Sequence, residues 1–149
     1  MSEKSQKANM ERLSGLLGGN LSYLFGENES GPNGDKKTFL NLGKTFLRAA
    51  AKDLGLRDVR VTSNAGGIGV SGSCTLYGMW EQNGIYLCLE QFCSGRNVLL
   101  YRSIRELNDH KGGYNHFLSA QELGSISYAE FLSRMKLIRK DASFDVRAA

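Results

Sequence analysis

The chain has 149 residues and a net charge of +4, with 41% hydrophobic and 23% charged residues. These proportions are typical of a soluble globular domain, and the length suffices for one hydrophobic core. No apolar run is long enough to span a membrane, and the N-terminal segment lacks the apolar stretch of a signal peptide. Three cysteines without framework spacing fit free thiols in a reducing compartment, so a cytoplasmic protein is expected.

The N-terminal segment predicts a weak helix followed by a linker. Residues 1–9 are polar and are expected to be frayed. Apolar residues recur at helical spacing over residues 10–25. The stretch GENESGPNGD that follows contains the only proline and predicts a linker. We therefore expect an appendage over residues 1–34, a compact domain over residues 35–140 and a flexible tail over residues 141–149.

The compact domain is expected to begin with a strongly amphipathic helix. Asp35 is placed to cap it, and Gly55 is placed to end it. Its apolar residues recur at i+3/i+4 spacing, which predicts one buried face. That face comprises Phe39, Leu42, Phe46, Ala49, Ala50 and Leu54. A solvated helix face is expected for Lys44, Arg48 and Lys52.

After Gly55 the hydrophobic period changes to two, which predicts strands. The predicted strands are DVRVTS, GIGVSGS, CTLYGMW, GIYLCLEQF and NVLLYRSI. The QNG turn at residues 82–84 predicts a hairpin, and such short connections allow only antiparallel pairing. A final helix is predicted near residues 127–139, with a capping box formed by Ser127 and Glu130. We therefore expect an α+β domain, in which an antiparallel meander of four or five strands is flanked by an N-terminal and a C-terminal helix.

Residues 67–72 match the pattern GxGxxG, which in some proteins binds phosphate. A dinucleotide site needs a strand before these glycines and a helix after them. Here the following run, CTLYGMW, predicts a strand, and the lysine, HRD and DFG motifs of kinases are absent from the sequence. We interpret the glycines as positions that allow positive φ or a bulge in a hairpin.

The cysteines and histidines offer two catalytic or metal-binding alternatives. Cys88, Cys93, His110 and His116 follow the order of a zinc site with stretched spacing, but residues five apart in a strand face opposite sides. Cys74 or either other cysteine, with a histidine, would provide a nucleophilic pair that lacks a local signature. We favour a non-catalytic protein without metal or cofactor. A small Cys/His-dependent enzyme or zinc protein is the alternative.

Residues 101–119 form an unusual polar segment in which cations and aromatic side chains are interleaved around two glycines. Loops held by a rigid scaffold often carry binding residues. Cations with aromatic rings suit phosphates and bases, so we expect this segment to bind a polyanion. The candidate binding residues are Arg60, Arg96, Arg102, Arg105, His110, Lys111, Tyr114 and His116. A plain connection between the last strand and the last helix is the alternative.

A second surface is predicted on the sheet face away from the helices. The alternate residues of GIYLCLEQ are apolar, which places Tyr86 on that outer face. Tyr77 and Tyr101 are expected to join it and to leave a semi-open aromatic face.

The runs GLRDVRVTSNAGGIGVSGSCTLYG, GIYLCLEQ, LLYRSI and DHKGGYNHFL resemble small, mostly uncharacterised accessory proteins of bacterial plasmids, phages and integrative elements. The resemblance spans roughly residues 36–138 and carries no assigned catalytic residue. It implies a setting in which small non-enzymatic proteins handle DNA or inhibit host defence nucleases, as anti-CRISPR proteins do. We therefore expect a binding protein whose partner is nucleic acid or a nucleic-acid-handling protein. A subunit that self-associates through residues 10–25 is a further alternative.

Overall fold

Four helices and five strands make up the part of the chain that the computed structural model describes, which is residues 2–18, 35–67, 70–92, 96–109 and 112–138. The helices are α1 (Glu3–Gly18), α2 (Asp35–Asp53), α3 (Ala120–Ser125) and α4 (Tyr128–Leu137). The strands are β1 (Arg57–Asn64), β2 (Ser73–Met79), β3 (Gly84–Glu90), β4 (Asn97–Ile104) and β5 (His116–Ser119).

The five strands form one antiparallel sheet in the order β1-β2-β3-β4-β5, which confirms the predicted α+β meander. The predicted QNG hairpin joins β2 and β3, where the Trp80 backbone N–H donates to the Asn83 carbonyl at 2.8 Å. The fifth strand is β5, which lies in the segment that was expected to be a loop. It forms because it pairs antiparallel with β4, where Leu118 lies opposite Leu99.

The prediction of a separate strand over GIGVSGS is wrong, because Gly67 and residues 70–72 lie in the loop between β1 and β2, and Ser73 already begins β2. Gly66 and Gly72 have φ values of +66° and +77°, which take the chain out of extended geometry. A Cβ on Gly72 would lie 2.6 Å from the Asn64 carbonyl oxygen. At these two positions the glycines allow the positive φ that the turn requires, as the sequence interpretation expected. Ile68 and Gly69 lie outside the described residues.

The helices pack on one face of the sheet and bury a continuous core. From the sheet, this core takes one set of register partners across four strands, namely Cys74, Leu89, Leu99 and Leu118. From α2 it takes Phe39, Phe46 and Ala50, all fully buried. Gly55 ends α2 as predicted, with the Leu56 N–H bonded to the Ala51 carbonyl at 3.1 Å. None of the described helices is both long and apolar enough to cross a bilayer.

The expectation that residues 1–9 are frayed is wrong, because α1 begins at Glu3 and packs on α2 and α3. Met10, Leu13 and Leu17 recur on one side of α1 and are fully buried. The polar side chain of Gln6 is also buried, and its amide donates to the Phe46 carbonyl at 3.1 Å. The predicted linker and the end of the predicted first helix fall on residues 19–34, outside the described residues.

A serine caps the N-terminus of each of the last two helices. Ser127 accepts from the Glu130 N–H at 3.0 Å, which confirms the predicted N-cap of α4. The Glu130 carboxylate binds Arg134 at 2.7 Å. The reciprocal capping box occurs one helix earlier, between Ser119 and Glu122 at the start of α3.

Candidate binding surface

The sheet face opposite the helices carries a row of four side chains, one from each of β1 to β4. The register pairs Arg60 with Tyr77, Tyr77 with Tyr86, and Tyr86 with Arg102, and directly paired residues share a face. The ring centroids of Tyr77 and Tyr86 are 4.7 Å apart. The Arg102 guanidinium lies over the Tyr86 ring, 4.9 Å from its centroid. Tyr86 is therefore held between Tyr77 and Arg102.

Asp109 binds two of the predicted polyanion-contacting cations within the loop that follows β4. Its backbone carbonyl accepts from Arg102 Nη2 at 2.7 Å, and Arg102 is only 9% exposed. Its carboxylate accepts from the Arg105 backbone N–H at 2.9 Å and from Arg105 Nε at 3.2 Å. Hydrogen bonding to this carboxylate raises the pKa of Arg105. Arg102 therefore joins the loop to β4, and Arg105 holds the loop together internally. A phosphate would have to compete with Asp109 for Arg105.

The expectation that Tyr101 joins the outer aromatic face is wrong. Tyr101 pairs with Leu87, which belongs to the core, so its ring lies on the helix-covered face. It stacks there on the predicted site residue His116, with ring centroids 5.2 Å apart. Tyr101 and Arg102 are consecutive in a strand and therefore point to opposite faces of the sheet.

The other predicted site residues are dispersed. Tyr114 is 43% exposed in the segment just before β5. Arg96 is exposed just before β4, and its carbonyl accepts from the Ala120 N–H at 2.9 Å. His110 and Lys111 lie outside the described residues. Of the predicted set, the structure brings Arg60 and Arg102 into one row.

A second group of cations lies on the outer face of α2, and we refer to it as the α2 cation row. It consists of Lys37, Lys44, Arg48 and Lys52. At about 100° per residue these positions fall within roughly 80° of the helix circumference, and they extend over about 22 Å of its length. Among the described residues, no ion pair or side-chain hydrogen bond involves any of the four. Their neighbours on this face, Asn41 and Thr45, are uncharged and exposed.

Cys74 and Cys88 are buried and hold their protons. The Cys74 thiol donates to the Leu40 carbonyl at 3.3 Å, and the Cys88 thiol donates to Glu90 Oε1 at 3.3 Å. Burial raises the pKa of each thiol to about 12. Neither is therefore a thiolate nucleophile near neutral pH. Cys93 lies outside the described residues, so the zinc and Cys–His hypotheses that include it are not tested.

We expect a Cys93→Ser variant to show almost no native thiol reactivity at pH 8. With a pKa near 12, only about one thiol in 10⁴ is ionised at that pH, and burial blocks access to the reagent. The measurement is the release of chromophore from a disulfide reagent, before and after unfolding in guanidinium. Two thiols should react only after unfolding. Rapid native reaction of either cysteine would favour the Cys-dependent enzyme.

No protein-family model matches the chain, and neither a curated protein nor a solved structure was found to match it. Its function is therefore inferred from its own residues.

Proposed function

We propose that this chain is a non-catalytic nucleic-acid-binding protein that contacts the phosphate backbone through the α2 cation row. The supporting observation is that these four cations have no ion pair among the described residues, whereas Arg105 is bound to a carboxylate. Unpaired lysines and arginines gain affinity by displacing the counterions condensed on nucleic acid. The net charge of +4 adds a favourable long-range term.

The packing of α2 favours nucleic acid over a lipid surface as the polyanion. A helix that binds a membrane inserts its apolar face between the headgroups. The apolar face of α2 is used by the core, where Phe39, Phe46 and Ala50 are fully buried. The cations therefore have no adjacent apolar stripe with which to enter a bilayer.

The same packing fixes the helix backbone that carries the cations. Gly43 lies directly against β2, and a Cβ there would be 2.6 Å from Cys74 Sγ. The helix backbone therefore approaches the sheet closely and has little freedom to shift. A backbone held in place before binding does not have to be ordered when the helix meets a phosphate backbone.

A protein partner is the second candidate, and the outer sheet face favours it. Phe117 is 40% exposed there and lies 5.7 Å from Phe92, on the same sheet face as the row of Arg60, Tyr77, Tyr86 and Arg102. Tyrosine, phenylalanine and arginine are enriched in protein interfaces. A nucleic-acid-handling protein is the class of partner that the sequence resemblance implies.

Two charge-matched double variants test the proposal. Lys44→Gln/Arg48→Gln removes two cations from the α2 row, and Arg105→Gln/Lys136→Gln removes two from elsewhere. We expect the first to weaken binding to a 20-base-pair DNA duplex by about tenfold per cation at ~50 mM salt, because each lost contact forgoes counterion release. The control should bind within about twofold of wild type. Fluorescence anisotropy of the labelled duplex measures both.

Three outcomes would contradict the proposal. If both variants lose affinity equally, net charge rather than the α2 row determines binding. If the control loses more, the contacts lie at Arg105 or at Lys136 on α4. If the wild type does not bind the duplex, the outer sheet face and a protein partner become the favoured interpretation.

A further inference from the structure

We infer that α2 enters the major groove of double-stranded DNA and reads base edges there through Asn41, Thr45 and Arg48, an inference that rests on the proposed function. All three residues are exposed on α2. Arginine donates twice to guanine, asparagine pairs twice with adenine, and threonine offers a hydroxyl and a methyl group to a base. Contacts to phosphates position a protein on the duplex, and contacts to base edges give it sequence preference.

The side of α2 that projects farthest from the protein carries two of these residues. At about 100° per residue, Asn41 and Arg48 lie within about 20° of each other around the helix. The fully buried residues Phe39, Phe46 and Ala50 lie about 150–170° from their midpoint, on the opposite side of the helix. Asn41 and Arg48 therefore form the outermost line of α2, which is the part that reaches deepest into a groove.

The dimensions of α2 match the major groove of B-form DNA. The groove is about 12 Å wide, and an α-helix with its side chains is about 10–12 Å across. Asn41 and Arg48 are about 10 Å apart along the helix axis, which corresponds to about three base-pair steps. Lys37 and Lys52 lie about 6 Å beyond them at the two ends. Because a straight helix leaves a curving groove at its ends, these two lysines are placed to contact phosphates.

Reading by an inserted helix favours DNA over RNA as the duplex. The major groove of A-form RNA is deep and narrow, and side chains cannot read the bases in it. The major groove of B-form DNA admits a helix and presents a different pattern of donors and acceptors for each base pair. The ligand of α2 is therefore double-stranded DNA.

Base reading gives Arg48 two roles that differ in their salt dependence. On a duplex without the preferred sequence, all four cations of the α2 row contact phosphates, and the log–log salt slope is about −3.6. On the preferred sequence Arg48 contacts a guanine instead, which leaves three phosphate contacts and a slope of about −2.7. Binding to the preferred sequence should therefore be tighter and less dependent on salt.

The test begins with the selection of DNA duplexes from a pool with random central bases, using the full wild-type chain. We expect enrichment of a short core that contains guanine and adenine. Fluorescence anisotropy should show that this core binds about five- to a hundredfold more tightly than a scrambled duplex of the same composition. Replacing its guanines with 7-deazaguanine removes a major-groove acceptor and should weaken binding. Inosine lacks only the minor-groove amino group and should leave the affinity within about twofold.

Three variants separate base reading from charge. Arg48→Lys keeps the charge and loses the planar guanidinium, so it should bind the scrambled duplex within about twofold of wild type and lose most of the preference for guanine. Asn41→Ala changes no charge and should lower the preference for adenine alone. Lys52→Arg is the matched control outside the outermost line of α2, and it should leave both the affinity for the scrambled duplex and the base preference unchanged.

Duplex binding without an enriched sequence would overturn the inference and leave the proposed function intact. Loss of affinity with inosine rather than with 7-deazaguanine would place the contacts in the minor groove and would also overturn it. An unchanged base preference in both Arg48→Lys and Asn41→Ala would show that α2 does not read the bases. Absence of binding to every duplex would contradict the proposed function and the inference together.

Discussion

Replacing Phe46 with alanine is expected to lower the free energy of unfolding by about 3–5 kcal/mol. Phe46 is fully buried on α2, and its ring makes edge contacts with Phe131 at 5.2 Å and Tyr128 at 6.4 Å between centroids. Truncation removes the contacts that join α2 to α4 and leaves a cavity. Urea denaturation, followed by the fluorescence of the buried Trp80, measures the change.

Phe46→Leu provides the matched control, because it keeps an apolar side chain of nearly the right size. It should cost distinctly less than Phe46→Ala. The slope of unfolding free energy against urea should be similar in both variants if only stability has changed. A loss below about 1 kcal/mol for Phe46→Ala would contradict the packing of α2 on α4.

Leu13→Ala is expected to destabilise the protein by about 2–5 kcal/mol, although Leu13 lies in the segment that the sequence predicts to be an appendage. Leu13 is fully buried between α1 and the helices it packs on. The control is Gly15→Ala, since Gly15 is exposed and a Cβ there has nothing within 4 Å. That change should stabilise the protein by up to about 1 kcal/mol through helix propensity.

Both effects are read from the same urea titrations. If Leu13→Ala leaves stability unchanged, α1 is not part of the cooperative core, and the predicted boundary near residue 34 marks a separate appendage. If Gly15→Ala destabilises, its side of α1 is covered by another part of the chain.

Sequence patterns correctly predicted those strands, turns and helix ends that are determined by residues near one another in the chain. The period-two pattern, the QNG turn, the end of α2 at Gly55 and the Ser127 cap of α4 each depend on residues close in sequence. The start of α1 does not, because Gln6 looks solvent-exposed until its amide meets the Phe46 carbonyl, forty residues away. A buried polar group is acceptable only with such a partner, and the partner is not visible from local sequence.

The face of Tyr101 could not be derived from alternation. Val98, Leu99 and Leu100 are consecutive apolar residues, so the pattern does not determine which of them faces the core. The register does, since Leu99 pairs with Leu89 in the core and Leu100 pairs with Cys88 on the outer face. A one-residue change of phase moves every side chain of a strand to the other face.

The sequence predicted which residue types lie in the loop after β4, and it did not predict which of them bind one another. The sequence identifies Arg102 and Arg105 as cations near aromatic residues. It does not reveal that the chain turns back so that Asp109 binds both. Lys44, Arg48 and Lys52 were expected on a solvated helix face, and we propose a binding role for them because Asp109 binds both Arg102 and Arg105.

The salt dependence of duplex binding tests the central claim most directly. Wild-type affinity for a 20-base-pair DNA duplex would be measured by fluorescence anisotropy between ~30 and ~150 mM salt. If the four cations of the α2 row contact phosphates, the plot of log K against log salt should have a slope of about −3.6, and removing all four should bring it close to zero. A slope shallower than about −1 in the wild type, or one that the four-cation variant leaves unchanged, would contradict the proposed role of α2.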